Sequence, residues 1–223
     1  MDITVTCNHN RHYSFDPVHT ALMVIDMQRD FLEPDGMCDV LGEDTAVMRA
    51  IVPRLKRVLQ AARQWGLTVI HTREGYAPDL SDMHGLKRER RDTPSKGPLG
   101  RLLIRGEPGH ATISELFPRP EEPVIDKPGF GSFYRTELDQ ILTRQNITHL
   151  IISGVTTQCC VHSTLREAVD RGFYCLTLAD CCAAIEKALH DMAIALIYGE
   201  GHLFGWVAES TDFLAALDQS EIH

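Results

Sequence analysis

The strongest constraint on this chain's fold is an alternation: short, almost wholly apolar runs are followed by longer segments whose apolar residues recur at helical spacing. Residues 20–26 (TALMVID) are the first such run and end in a carboxylate. A strand buried on both faces reads this way where its C-terminal end opens into a loop. Residues 44–65 follow, with Val47, Ile51, Leu55, Val58, Leu59 and Ala62 at helical spacing and Gly66 placed as a stop. The pattern predicts further strands at 67–72, 123–126, 149–153, 173–178 and 203–207, and helices at 136–144, 160–171, 187–198 and after Ser210. Strands alternating with helices connect by right-handed crossovers into a parallel sheet covered on both faces. The expectation is an α/β chain, one domain over residues 1–223, with a mostly parallel six-stranded sheet between two helical layers. Residues 74–110, rich in Gly, Pro, Asp and Arg without a sustained period, read as a long surface excursion on the active-site side.

Composition narrows the function classes. A formal charge of −9 leaves no broad basic face for phosphate contacts, so nucleic acid is not expected as a partner. The one basic run, residues 87–91, lies between turn formers and acidic residues and reads as a solvated loop. Residues 1–16 lack a basic segment leading into an apolar one, and no apolar run approaches a membrane span. The seven cysteines are odd in number and partly adjacent (Cys159-Cys160, Cys181-Cys182), which suits reduced thiols and a cytoplasmic location.

In open parallel sheets, ligands gather at the carboxyl ends of the strands. Three predicted ends carry reactive groups: Asp26 closes the first strand, Lys127 follows Val124-Ile125-Asp126, and Cys160 follows the strand at 149–153 through the turn at 154–159. A thiol where a strand gives way to a helix meets unpaired amides and the positive end of the helix dipole. A neighbouring ammonium further favours thiolate, and the same amides suit an oxyanion. Taken alone, a Cys among Val, Ile and Ala is more often a small core residue, and position and partners reverse that reading.

The segments VIDMQRDF (24–31), DKPGFGSF (126–133) and SGVTTQCCV (153–161) resemble the isochorismatase-like cysteine hydrolases, over nearly the whole chain. That resemblance implies a Rossmann-like three-layer sandwich, with Cys160 as nucleophile, Asp26 as proton acceptor and donor, and Lys127 as cationic partner. It also implies an oxyanion hole from the N–H groups of Thr156 and Cys160, a cis Val155-Thr156 bond, a homo-oligomer (commonly a tetramer) and no cofactor. Phe31 matches an aromatic that lines the family pocket.

Within that family, HTREG (71–75), PDLSD (78–82), GRLLIRGEPG (100–109) and REAVDRG (166–172) look most similar to biuret hydrolases, which implies a small urea-type substrate. Two positions depart from them: Phe130 stands for Lys, and Glu200 for Gln. Both changes make the expected pocket more negative and favour the cationic guanylurea over biuret, because a carboxylate accepts paired hydrogen bonds from an amidinium. His202, beside Glu200, is a further candidate substrate contact. No metal is expected, because the window at 30–39 lacks the histidines that nicotinamidases of the superfamily place after the first catalytic Asp. His71 and His84 lie in no ligand spacing. The competing classes are a non-catalytic interaction domain, which gives no reason to collect Asp, Lys and Cys at three strand ends, and an isochorismate ether hydrolase, which needs no nucleophilic cysteine. A dinucleotide site lacks its glycine-rich fingerprint after the first strand.

Overall fold

Period-two patterning shapes the first element. Ile3, Val5, Cys7, Tyr13 and Phe15 are buried between exposed neighbours, and the chain forms an antiparallel hairpin of β1 (Ile3–Cys7) and β2 (Arg11–Phe15). The sequence reading assigns no element here. The computed structural model describes residues 2–83, 85–90 and 96–220, so His84 and Arg91 lie outside the described residues.

The central sheet is built from β3 (Thr20–Ile25), β4 (Thr68–Glu74), β5 (Val124–Lys127), β6 (His149–Val155), β7 (Tyr174–Ala183) and β8 (Trp206–Ala208). The order is β8-β7-β6-β3-β4-β5, and every adjacent pair is parallel. The connecting helices are α1 (Val52–Gln64), α2 (Leu138–Arg144), α3 (His162–Asp170), α4 (Lys187–His202) and α5 (Ser210–Ser220). Burial on both faces explains the unbroken apolar strands. On β3, Leu22 and Val24 pack into the layer of α1, α5 and the hairpin, while Ala21, Met23 and Ile25 pack toward α2, α3 and α4. The three-layer α/β sandwich with a six-stranded parallel sheet is the fold expected.

Several boundaries differ, each for a local reason. The helix expected at 44–65 is two helices, Thr45–Arg49 and α1. Pro53 has no N–H to give the preceding turn, and its ring would collide with the carbonyl four residues back. The last strand begins at Trp206 rather than residue 203, because Gly205 turns the chain at φ +106°, with the Cys175 carbonyl 2.3 Å from where a Cβ would stand. β7 runs on to Ala183, pairing Cys182 with Gly154 past an irregularity in the register. The stretch at 74–110 is more than a surface excursion. Met83, Leu102, Leu103 and Ile104 are buried, and the Tyr76 and Leu103 amides donate to the Leu103 carbonyl and the Asp30 carboxylate.

Candidate active site

The register of four strands brings one edge together. Ile25 pairs with Thr72 on one side and Gly154 on the other, and Glu74 pairs with Lys127. The carboxyl ends of β3, β4, β5 and β6 therefore converge. Asp26 leaves β3 in the left-handed region, at φ 50°, which a short carboxylate side chain tolerates better than a branched one. Its amide bonds the Thr72 carbonyl at 3.1 Å, and its Oδ1 accepts from Thr72 Oγ1 at 2.7 Å. After β6, the Val155-Thr156 peptide is cis and a π-helical turn over Thr157–Val161 carries Cys160. The helix expected to begin at residue 160 thus starts as α3 at His162.

Lys127 is fully buried with its ammonium 2.7 Å from Asp26 Oδ2, and it donates to the carbonyls of Gly129 at 3.0 Å and Phe130 at 2.9 Å. Three oxygens thus fix the orientation of one cation. Glu74, which the sequence reading does not single out, is the fourth member. Its Oε2 accepts from the Cys160 thiol at 3.3 Å and lies 4.0 Å from Lys127 Nζ. Gln28 holds its backbone from both sides, accepting from the Glu74 N–H at 2.7 Å and donating to its carbonyl at 2.9 Å. Oxygen and sulfur atoms of Asp26, Glu74 and Cys160 lie within 4.8 Å of one another, with the Lys127 ammonium beside them as their cation.

The other Glu74 oxygen, Oε1, accepts from Lys87 Nζ at 3.0 Å and from Tyr76 OH at 3.3 Å. Lys87 also donates to the Pro128 carbonyl, and its ammonium lies 3.8 Å from the centre of the Phe130 ring. Lys87 belongs to the basic run read as solvated. It is instead partly buried above the site, because a carboxylate and an aromatic face together replace its water shell. Gly129, Phe130 and Lys87 also line an adjoining cavity of about 360 Å³, bordered by Asp82, Tyr134 and Glu167.

Burial and partners set the charge states. Burial pushes the Asp26 carboxyl up from its ordinary value, opposed by the Lys127 charge and reinforced by Glu74. Burial works against the Lys127 charge, but Asp26, Cys160 and Glu74 overcome it and hold the ammonium protonated. The Cys159 side chain and burial push the Cys160 thiol well up, and Asp26 and Glu74 add to this against the pull of Lys127. The Cys159 side chain and burial thus move the thiol in the direction opposite to the lowering expected from an ammonium and a helix terminus, and the thiol donates to Glu74.

Of the residues predicted from sequence, Asp26, Lys127 and Cys160 come together, and Thr156 flanks the thiol-bearing turn through the cis bond. Phe130 stands at the rim of the adjoining cavity, half-exposed. Phe31 is buried in the core cluster that also holds Tyr76 and Leu103. Glu200 and His202 lie elsewhere. α4 leaves the carboxyl end of β7 and returns to the amino end of β8, where Gly205 lies against Cys175 and Trp206 pairs with Leu176. There Arg11 bonds the Gly201 carbonyl, and His202 meets His9 at 5.8 Å between ring centres. Cys160 belongs to the other end of β7, about 20 Å away at 3.3 Å per residue from Leu176 to Cys182. The pocket-charge argument from Glu200 therefore has no basis within one chain. Arg105 pairs with Asp82. The sequence signal for Glu74 is a carboxylate two residues past the strand predicted at 67–72, which by itself does not say which strands lie side by side.

Fold and centre together define a parallel α/β sandwich with a buried thiol, an ammonium and two carboxylates at the carboxyl edge of its sheet. The isochorismatase domain matches residues 20–212, and the chain belongs to that family. Among solved structures, a cysteine hydrolase from Pseudomonas syringae pv. phaseolicola 1448A is 26% identical with a TM-score of 0.81, over 92% of this chain and 95% of that one. An isochorismatase family protein from Desulfovibrio vulgaris subsp. vulgaris str. Hildenborough is 26% identical with a TM-score of 0.73, over 92% and 99%. An N-carbamoylsarcosine amidase from Thermoplasma acidophilum, 24% identical with a TM-score of 0.67 over 86% and 96%, shares the fold. All seven cysteines are free thiols, and among the described residues no helix is long and apolar enough to cross a membrane.

Proposed function

We propose that this chain is a cysteine amidohydrolase that releases ammonia from a small urea-type amide through a thioester on Cys160. The observation that carries the reading is the thiol of Cys160, held within hydrogen-bond reach of a carboxylate in a buried centre that already contains an ammonium-carboxylate pair. Sulfur attacks the terminal carbonyl, and its proton passes to a carboxylate of the centre. The amides of Thr156 and Cys160 receive the oxyanion, and Lys127 balances the negative charge gathered around the reacting atoms. Return of the proton to the departing nitrogen expels ammonia. Water then cleaves the thioester with a carboxylate as base, freeing the thiol and a carboxylated product.

The substrate reading changes with the geometry. Glu200 is remote from the thiol, and the charge missing at Phe130 is restored by Lys87 on its ring. Asp26 and Glu74 are thus opposed by Lys127 and Lys87. A balanced centre suits a neutral ureide, which favours biuret, giving allophanate, over the guanylurea cation.

Ammonia release with biuret, guanylurea and maleamate offered at equal concentration tests this, using untreated enzyme and Cys160→Ala. The expected result is preference for biuret and loss of all turnover without the sulfur. Full activity in Cys160→Ala would end the scheme, and preference for guanylurea would overturn the charge-balance argument alone.

A further inference from the structure

We infer that Lys87 determines specificity for the half of the substrate that the thiol does not attack: its ammonium donates to the distal carbonyl oxygen of a neutral ureide and repels a cation placed there. The inference rests on the amidohydrolase reading and deepens it. Access is the first observation. Asp26, Glu74, Lys127 and Cys160 are each 5% exposed or less, so a substrate reaches them only from a neighbouring space. The cavity of about 360 Å³ beside them is bordered by Lys87, Gly129 and Phe130. Among the described residues lining it, Lys87 is the charged side chain that also bonds a member of the centre, Glu74 Oε1 at 3.0 Å. The other oxygen of that carboxylate meets the thiol at 3.3 Å, so a single carboxylate separates the ammonium from the sulfur. A ureide whose first carbonyl lies at the sulfur carries its second carbonyl one nitrogen further on, a step of similar length.

The two lysines of the site are held differently, which is the second observation. The Lys127 side chain is 0% exposed and pinned by three oxygens, whereas that of Lys87 is 23% exposed and faces the cavity. The third observation is what Lys87 rests on. Besides Glu74 and the Pro128 carbonyl, its ammonium lies 3.8 Å from the centre of the Phe130 ring. A ring face holds a cation less firmly than a carbonyl oxygen does, so an oxygen arriving from the cavity replaces the weaker contact. The carboxylates of the cavity do not cancel this charge, because Asp82 is paired with Arg105 and Glu167 accepts from the Phe133 amide at 3.2 Å. Biuret presents an acceptor to Lys87. Guanylurea presents an amidinium there, so the same ammonium selects by attraction and by repulsion.

Lys87→Met keeps the length of the side chain and removes its charge. With biuret, kcat/KM is expected to fall about 10–100-fold, chiefly through KM, as for the loss of one charge-assisted hydrogen bond made on binding. Guanylurea, offered as a competitor of biuret hydrolysis, is expected to bind the variant about threefold more tightly or better, because a like charge is gone. Lys87→Arg, which keeps a cationic donor, is expected to recover part of the biuret loss and none of the gain for guanylurea. A KM for biuret within about twofold of the parent's overturns the inference. So does a fall confined to kcat, or an equal loss for both ligands, since either marks Lys87 as a support for Glu74 alone. A parent enzyme inert toward biuret, or a Cys160→Ala enzyme with intact turnover, would end the underlying reading as well, so the two failures are distinguishable.

Discussion

Two buried carboxylate clusters share strand β4 and show what separates a structural ion pair from a reactive one. Behind His71, Glu122 accepts from Arg63 at 2.7 and 2.8 Å, from the Arg119 amide at 2.8 Å, and meets His71 Nε2 at 3.1 Å. Burial alone would push that carboxyl up, but Arg63, the Arg119 amide and His71 bring it below its ordinary value. Three residues along the strand, Glu74 shares one buried ammonium with Asp26 and spends an oxygen on a thiol. One cluster closes both oxygens of its carboxylate on fixed donors; the other leaves a carboxylate oxygen facing a thiol.

Breaking that contrast at its centre should produce the largest effect. In Lys127→Met, two buried carboxylates lose their counter-charge. Removing one member of a buried pair typically costs about 3–5 kcal/mol, so urea unfolding is expected to shift by that amount and turnover to disappear. The sign with pH follows from linkage. Asp26, already above its ordinary value in the parent, would be raised further without the Lys127 charge, and stability relative to the parent is expected to recover as pH falls and it takes up a proton.

Glu122→Gln tests the other side. Loss of charge-assisted bonds is expected to destabilise by about 1.5–3 kcal/mol with turnover kept within threefold, read by urea unfolding beside ammonia release. Because the Glu122 pKa is depressed, its stabilisation is full above the unfolded carboxylate value and is lost as pH falls through the folded one. The variant is therefore expected to lose less stability than the parent on acidification. Phe130→Ala sharpens the role of the ring under Lys87. A cation–π contact of about 0.5–1 kcal/mol at a partly exposed site predicts a few-fold change in KM, followed by initial rates. Glu200→Gln should be the smallest perturbation, within about 0.5 kcal/mol in stability and without change in substrate preference. A switch in preference there would place Glu200 at the pocket after all.

Legibility in the sequence tracked burial and failed where partners decide. Two-faced burial wrote strands such as β3 and β6 as continuous apolar runs, and their ends gave Asp26, Lys127 and the turn to Cys160. Element boundaries depended on single residues, Pro53 and Gly205, whose effect is steric rather than periodic. Glu74 and Lys87 were missed because each, read alone, is a charged residue at a strand end or in a basic run. Only pairing across the edge makes them a unit. Glu200 misled for the converse reason: proximity to the last strand in sequence does not say which end of the sheet a helix has returned to.

The convergence of four strand ends also sets an order of events during refolding. Asp26, Glu74, Lys127 and Cys160 span well over half the chain, so no fragment that lacks one of β3 to β6 holds the whole centre. Contacts so distant in sequence form late, after the loops between them have closed. Helical signal and compaction can therefore return before any catalysis does, and regained turnover counts only molecules whose central sheet is complete.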